Sequence, residues 1–343
     1  MHAGSRHSKT RLTFFMLGLL LLLGGLSGIL FGAVNLPFSS ILFILGGGDL
    51  PDSSAHLQLI LTELRFPRVL LAMLVGANLA ICGAVSQGLF RNPLADPSLI
   101  GVTAGASLGA SIAIVSGVSF SGSLLFASTI SFGAFVGGLL TVLLVYRISS
   151  NANGTSVATM LLTGIAVTAF TAAITGLLDF YADNESLRRM SLWRMGGLEG
   201  ANYSHVVLAS IVLLVILSCF QHQAQTLNTL LLGESEARHL GINVEQSKTR
   251  LILLIAAGTG CAVALAGTIA FIGLVVPHII RLVIGPNHRF LLPASAMGGA
   301  VLLVLADTFA RTAVAPTELP VGLISALLGA PFFLSLLRHR YDY

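Results

Sequence analysis

The chain reads as an all-α polytopic membrane protein, one integral domain over residues 1–343. Three observations carry that reading. Hydrophobic residues make up 55 % of the chain and charged residues only 9 %, against about 25 % charge in a typical soluble domain. So few charges cannot cover the surface of a soluble protein of this length, and lipid is the simplest cover. The apolar residues fall in runs long enough to cross a bilayer as a helix, which takes about 20 residues. No soluble domain interrupts them, the longest polar segment being residues 221–250.

Ten runs are expected as spans, at about residues 12–33, 66–90, 97–117, 123–146, 157–181, 202–220, 249–270, 272–286, 290–310 and 319–337. The first follows His2, Arg6, His7, Lys9 and Arg11. A signal peptide has the same basic start, but its apolar region is only about 7–15 residues long. The run is therefore read as a retained helix with its N-terminus inside, and ten spans bring the C-terminus inside too. The basic residues agree with this orientation. Arg6, Lys9, Arg11, Arg91, Arg147, Arg238, Lys248, Arg250, Arg281, Arg289, Arg338 and Arg340 fall inside, and only Arg65, Arg68, Arg188, Arg189, Arg194 and Arg311 fall outside. The seventh and eighth runs nearly touch between Gly267 and Gly273.

The break "LFRNPLADPSLIG", residues 89–101, ends the second span at the inner surface. Pro93 and Pro97 disfavour continuation of the helix, and Asp96 suits the cap of the next one. Among 37 glycines, Gly101, Gly105 and Gly109 recur at intervals of four, as do Gly133 and Gly137. That spacing lets helices approach backbone to backbone. The stretches beginning at Gly83 and Gly267 are weakly alike, each an apolar helix end, a proline-containing break with arginine, and a helix rich in small residues. Their opposite orientation suits an inverted repeat relating helices 2–5 and 7–10.

Several chemistries are excluded. A P-loop needs glycines before its lysine, but Lys9 and Lys248, the only lysines, each follow a serine. Neither a zinc-protease motif nor a paired-cysteine metal site is present, and nothing supports a hydrolase triad, so no catalytic, cofactor or metal residue is assigned. Cys82, Cys219 and Cys261 each sit in an apolar run, where they suit packing better than disulfides. The net charge of +4 is accounted for by basic inner loops without a nucleic-acid partner. Transport is the leading class. A membrane-embedded enzyme is the rival, but it lacks a carboxylate or histidine cluster at a common depth. An ion-coupled carrier is marked by an acid or histidine within the membrane. Only His278 and Asp307 lie deep, and Asp307 is placed to pair with Arg311 four residues on.

Four motifs in order carry a resemblance. "RFPRVLLAMLVGANLAICGAVSQGLFRNPLADPSLIGVTAGASLGA" from Arg65 resembles the second and third helices of the iron-chelate, haem and cobalamin permeases, the membrane subunits of type II ABC importers. "LLLGESEARHLGI" from Leu230, "FIGLVVPHIIRLVIGPNHRFLLP" from Phe271 and "ELPVGLISALLGAPFFLSLL" from Glu318 are similar to three further signatures of that family. The resemblance implies ten helices and a homodimer around one path in a bacterial inner membrane. It also implies two cytoplasmic ATPase subunits, a periplasmic haem- or siderophore-binding protein, and transport by alternating access.

The same resemblance assigns roles. Arg65, Arg68 and Arg311 match arginines that pair with glutamates of the binding protein, the alternative being snorkelling to lipid headgroups. Residues 227–244 match the element that couples to the ATPase, with Leu231, Gly233, Glu234, Glu236, Ala237, Leu240 and Gly241 as its core. Asn92 and Leu94, and Thr155 and Ser156 of "NGTS", match the residues that narrow the inner end of the path. Simple turns and caps are the alternative for the latter. In "DNESLRRMSLWRMGGLEG", Arg188, Arg189, Trp193 and Arg194 match a short helix at the outer mouth. Three arginines there suit the propionates of haem, although many ferric siderophores are anionic too. The L-R-x-x-S-x-W run looks more like haem permeases than cobalamin ones. Interfacial anchoring is the alternative.

Overall fold

The computed structural model describes residues 2–340 apart from 33, 35–36, 38, 40–42, 44–45, 47–54, 118–127 and 152–153. The chain opens with α1 (His2–Leu30). A short helix, α2 (Ala55–Leu59), passes through a π-helical turn (Ile60–Arg65) into α3 (Phe66–Leu89), so that residues 56–89 form one continuous rod. The second run therefore begins about ten residues earlier than its apolar composition indicates. Pro67 has no N–H to offer the carbonyl one turn back, and the wider π turn just before it makes room for the ring.

α3 ends at a tight turn in which Arg91 takes a left-handed conformation, φ 49°. Asp96 then caps a 3₁₀ turn (Pro97–Ile100), its Oδ1 accepting the Ser98 N–H at 2.8 Å. α4 (Val102–Ser116) follows, then α5 (Thr129–Ser149); the expected start of that span at residue 123 lies outside the described residues. A two-residue ladder joins β1 (Ser150–Asn151) to β2 (Gly154–Thr155), with Ser150 opposite Thr155. Asn153 of the "NGTS" turn lies outside the described residues. Next come α6 (Val157–Tyr181), α7 (Asn184–Met195), α8 (Tyr203–His222), and two short helices, α9 (Ala224–Leu230) and α10 (Glu234–His239). The chain closes with α11 (Val244–Ala266), α12 (Ile272–Ile284), α13 (His288–Thr312) and α14 (Val321–Arg340). Residues 267–271 separate α11 from α12, with φ 66° at Gly267 and φ 67° at Phe271.

Among the described residues seven helices are long and apolar enough to cross a membrane: α1, the 56–89 rod, α5, α6, α8, α11 and α13. α4, α12 and residues 321–335 of α14 are apolar but shorter. The chain is a multi-pass membrane protein. α3, α11 and α13 form its buried centre, whereas α1, α6 and α8 turn most of their surface outward. Leu162, Phe170 and Phe180 on α6 are each largely exposed, and apolar surface of that extent marks contact with lipid or another subunit.

Small residues set the helix contacts. A β-carbon on Gly105 of α4 would come 2.5 Å from the Gly137 carbonyl oxygen of α5, so the glycine spacing is the seam between these two helices. α3 crosses α13 where Gly76 meets Gly299, and α12 where Gly83 meets Gly273. The three cysteines are free.

Candidate functional site

α3 and α13 lie antiparallel, because Arg68 meets Asp307, Gly76 meets Gly299 and Gly88 meets His288. At 1.5 Å per residue, the 24 residues of α3 separate two ends of the molecule by about 36 Å. The docking arginines lie at one of these ends, and the residues assigned to coupling and to the inner narrowing at the other.

At one end the three arginines meet. Asp307, 1 % exposed, accepts Arg68 Nη2 at 2.9 Å and Arg311 Nε at 3.0 Å. Arg68 Nη1 reaches Glu318 Oε2 at 2.7 Å. Arg65 Nη1 donates to the carbonyls of Ile29 (2.7 Å) and Leu30 (3.0 Å), its Nη2 donates to that of Val34, and Arg311 Nη2 donates to Gly28 (2.9 Å). The last turn of a helix leaves four carbonyls without partners and carries partial negative charge. Two guanidinium groups thus close the end of α1. None of the three is a free, exposed fork: Arg65 and Arg311 are buried, and Arg68 is mostly so. A cavity of about 580 Å³ opens beside them, lined also by Glu199 and Glu318.

α7 begins at Asp183, whose side chain accepts the Glu185 and Ser186 amides. Hydrogen bonds, first from the Ser186 side chain and then from these amides, hold the Asp183 carboxyl below the usual carboxylate range. Arg188 and Arg189 are exposed on α7, and Trp193 packs half-buried against a buried cluster of Ala106, Ala110, Ala134, Val263 and Ala264. Arg189 and Trp193 line a cavity of about 330 Å³ with Glu199 and His205. Arg194 pairs with Asp179 at 2.8 Å and borders a separate cavity of about 720 Å³, lined by Ser98, Thr103, Ser107, Thr168 and Thr268. Ser98, Thr103 and Thr268 also line an adjoining cavity of about 290 Å³, together with Asp96 and Thr259. Sequence reasoning missed these two cavities, in which several hydroxyls stand in a mostly apolar lining. The available signal was the Thr103 and Ser107 pair, four apart on one face of an apolar helix.

At the other end, α10 is bracketed by Gly233 (φ 129°) and Gly241 (φ 83°), conformations that cost L side chains dearly. Ala237 is fully buried, while Leu232 is 69 % and Leu240 66 % exposed. Leu231, Glu236 and Arg238 are also exposed. The segment is anchored on one side and presents leucines on the other. Asn92 Oδ1 accepts the Leu94 N–H at 3.0 Å, tightening the turn after α3, and Arg91 comes beside Gly233. Ser156 caps α6 by accepting the Thr159 N–H. The Thr155 N–H donates to Glu245 Oε2 at 2.7 Å, and its carbonyl accepts Lys248 Nζ at 3.0 Å. Both residue pairs assigned to the inner narrowing and the segment assigned to coupling therefore share one end of the molecule.

Comparison with known proteins fits this layout. The chain is 46 % identical over 333 residues to the hemin transport system permease protein HmuU of Yersinia pestis, covering 97 % of each. It is 44 % identical to the cobalamin import system permease protein BtuC of Halobacterium salinarum, over 82 % of this chain and 74 % of that one. A solved structure described as an inward-facing conformation of a metal-chelate type ABC transporter matches with TM-score 0.82 and 31 % identity, covering 95 % of this chain and 98 % of that one. PsaBC from Streptococcus pneumoniae in complex with Fab, at 18 % identity and TM-score 0.56 over 78 % of this chain and 88 % of that one, shares the fold alone. Residues 19–339 match the FecCD transport family, and with relatives that are permease proteins over most of its length, the chain belongs to that family as a permease subunit.

Proposed function

We propose that the chain is the membrane permease of an ATP-driven importer that moves haem from a binding protein to the cytoplasm. The observation that carries this is the 46 % identity with a hemin permease over 97 % of both chains. Arg188, Arg189 and Arg194 on one short helix support it, because guanidinium forks suit propionates. Cobalamin relatives at 44 % identity keep ferric siderophores and cobalamin as the second reading.

In this reading the seven long and three short apolar helices all cross the bacterial inner membrane, with both termini and α10 on the cytoplasmic side. Helices 2–5 and 7–10 are related as an inverted repeat. Two copies enclose the path, and their outward apolar faces, α6 among them, supply area for lipid and for the second copy. Two ATPase subunits rest against the exposed leucines around α10. The binding protein docks over the cavity beside Arg65, Arg68 and Arg311. Since those arginines are already paired, its carboxylates exchange with Glu318 for Arg68 rather than meet free charges. Asn92, Leu94, Thr155 and Ser156 narrow the cytoplasmic end of the path, and α7 stands at the outer mouth. Substrate passes without covalent chemistry. Uptake by the reconstituted complex, with haem, a ferric siderophore and cobalamin in competition, tests the choice. Haem entry that the other two fail to suppress is the expected result, and absence of haem uptake alongside uptake of another chelate refutes haem while keeping the importer.

A further inference from the structure

We propose that Lys248 is a positioning residue that locks the coupling segment around α10 to the β1–β2 hairpin, so that movement of α10 is passed to Thr155 and Ser156. The inference rests on the reading of α10 as the ATPase contact and of Thr155 and Ser156 as the inner narrowing.

The Lys248 side chain is 4 % exposed, and its ammonium makes three contacts to three elements. It meets Glu234 Oε1 of α10 at 2.7 Å, the Thr155 carbonyl of β2 at 3.0 Å, and Glu245 Oε1 of its own helix at 3.4 Å. An ammonium has three donors and no acceptor, so its bonding capacity is fully used. Glu245 completes the clamp: its Oε2 takes the Thr155 N–H at 2.7 Å. Both backbone polar groups of Thr155 are thus held by side chains of α11, outside the ladder. A β-carbon on Gly154 would sit 2.7 Å from Glu245 Cδ, which shows how tightly the hairpin is seated on α11. Arg238 bridges Glu234 at 3.9 Å and Glu245 at 3.5 Å from the exposed side. Two acids and two bases balance, and Lys248 is the buried one.

Burial gives this arrangement its directionality. An exposed pair breaks at little cost, but a buried charge stripped of one partner is strongly disfavoured. When α10 is displaced, Glu234 moves with it. Lys248 and the Thr155 backbone then follow instead of letting the ion pair part. The exposed Arg238 contacts carry no such constraint.

The test uses the full complex in vesicles with its binding protein and ATPase, comparing Lys248→Met and Lys248→Arg with the unmodified protein. Uptake and ATP hydrolysis are measured together. The expected result is that Lys248→Met still co-purifies with the ATPase and hydrolyses ATP, while substrate moved per ATP falls about tenfold. Lys248→Arg, which keeps a charged donor, is expected to recover most of the ratio. An unchanged ratio, or a fall of uptake and hydrolysis in equal proportion, overturns the proposal. If Lys248→Met does not assemble, Glu234→Ala decides, since it removes the α10 arm and leaves the Thr155 clamp: an unchanged ratio there overturns it equally. Failure of the underlying reading has a separate signature. Gly233→Trp would then retain ATPase binding and stimulated hydrolysis whatever the Lys248 variants do.

Discussion

Gly83→Ala probes the crossing that holds the centre of the molecule together. A β-carbon at Gly83 would lie 2.5 Å from both the α-carbon and the carbonyl carbon of Gly273. Carbon atoms rest about 3.5–4.0 Å apart, so α3 and α12 must separate by about 1 Å or more. Neither neighbour is a flexible side-chain tip that can rotate away. The separation also strains the Gln87 Nε2 bond to the Leu274 carbonyl, 3.0 Å long and one turn from the contact. Overpacking costs about 1–3 kcal/mol, and the lost hydrogen bond about 1. Alanine returns about 1 kcal/mol of helix propensity. The balance is a destabilisation of about 1–3 kcal/mol, or roughly a 5- to 150-fold shift in the folding equilibrium. Gly18→Ala is the matched control, because a β-carbon there meets only Met297 Cε at 3.8 Å. Each purified variant is heated in detergent and its monodisperse fraction followed by size exclusion. Gly83→Ala should melt well below the parent, and Gly18→Ala, which gains helix propensity without a clash, at or slightly above it. Identical curves for the two alanine variants would refute the close-crossing argument.

Asp307→Asn leaves Arg68 and Arg311 without their shared buried counter-ion and should cost about 3–5 kcal/mol, seen as a lower melting temperature that Asp307→Glu partly recovers. Glu318→Gln frees one arm of Arg68 and should tighten binding-protein affinity several-fold in a titration of the detergent-solubilised permease, whereas Arg68→Glu should abolish it; equal affinities in both variants would remove docking from this cluster. Leu232→Ser changes a residue 69 % exposed, so the permease alone should melt unchanged while its yield of co-purified ATPase drops sharply. Arg194→Ala breaks a partly exposed pair worth at most about 1 kcal/mol, so a large rise in the concentration of haem needed for half-maximal uptake, with unaltered melting, would place Arg194 at the mouth of the path.

The membrane class, the order of the apolar helices and the α4–α5 glycine seam were all legible in the residues alone. These are local properties. Whether a run partitions into lipid depends on its own side chains, and a glycine every fourth residue forms a stripe on any helix that contains it. Asp96 as a cap and the pairing of Asp307 with Arg311 followed from short spacings that geometry nearly dictates.

What could not be read was which distant groups share a partner. Arg65 and Arg68 looked like the charged rim of a span, because a charged, proline-containing run usually marks a helix boundary. The π turn carries the helix straight through them instead, and the end of α1 and Asp307 then bury them. Arg68 and Asp307 stand 239 residues apart in sequence, so their contact exists only because α3 and α13 cross antiparallel at Gly76 and Gly299. Lys248 likewise reads as one more basic residue on the inner side. It becomes a buried junction only when α10 and the β1–β2 hairpin converge on the first turns of α11. The sequence by itself determined which segments form apolar helices, since hydrophobicity is a property of each segment's own side chains. The tertiary structure alone decided which charges are buried and what each one ties together, since that depends on side chains from separate helices meeting at one point in space.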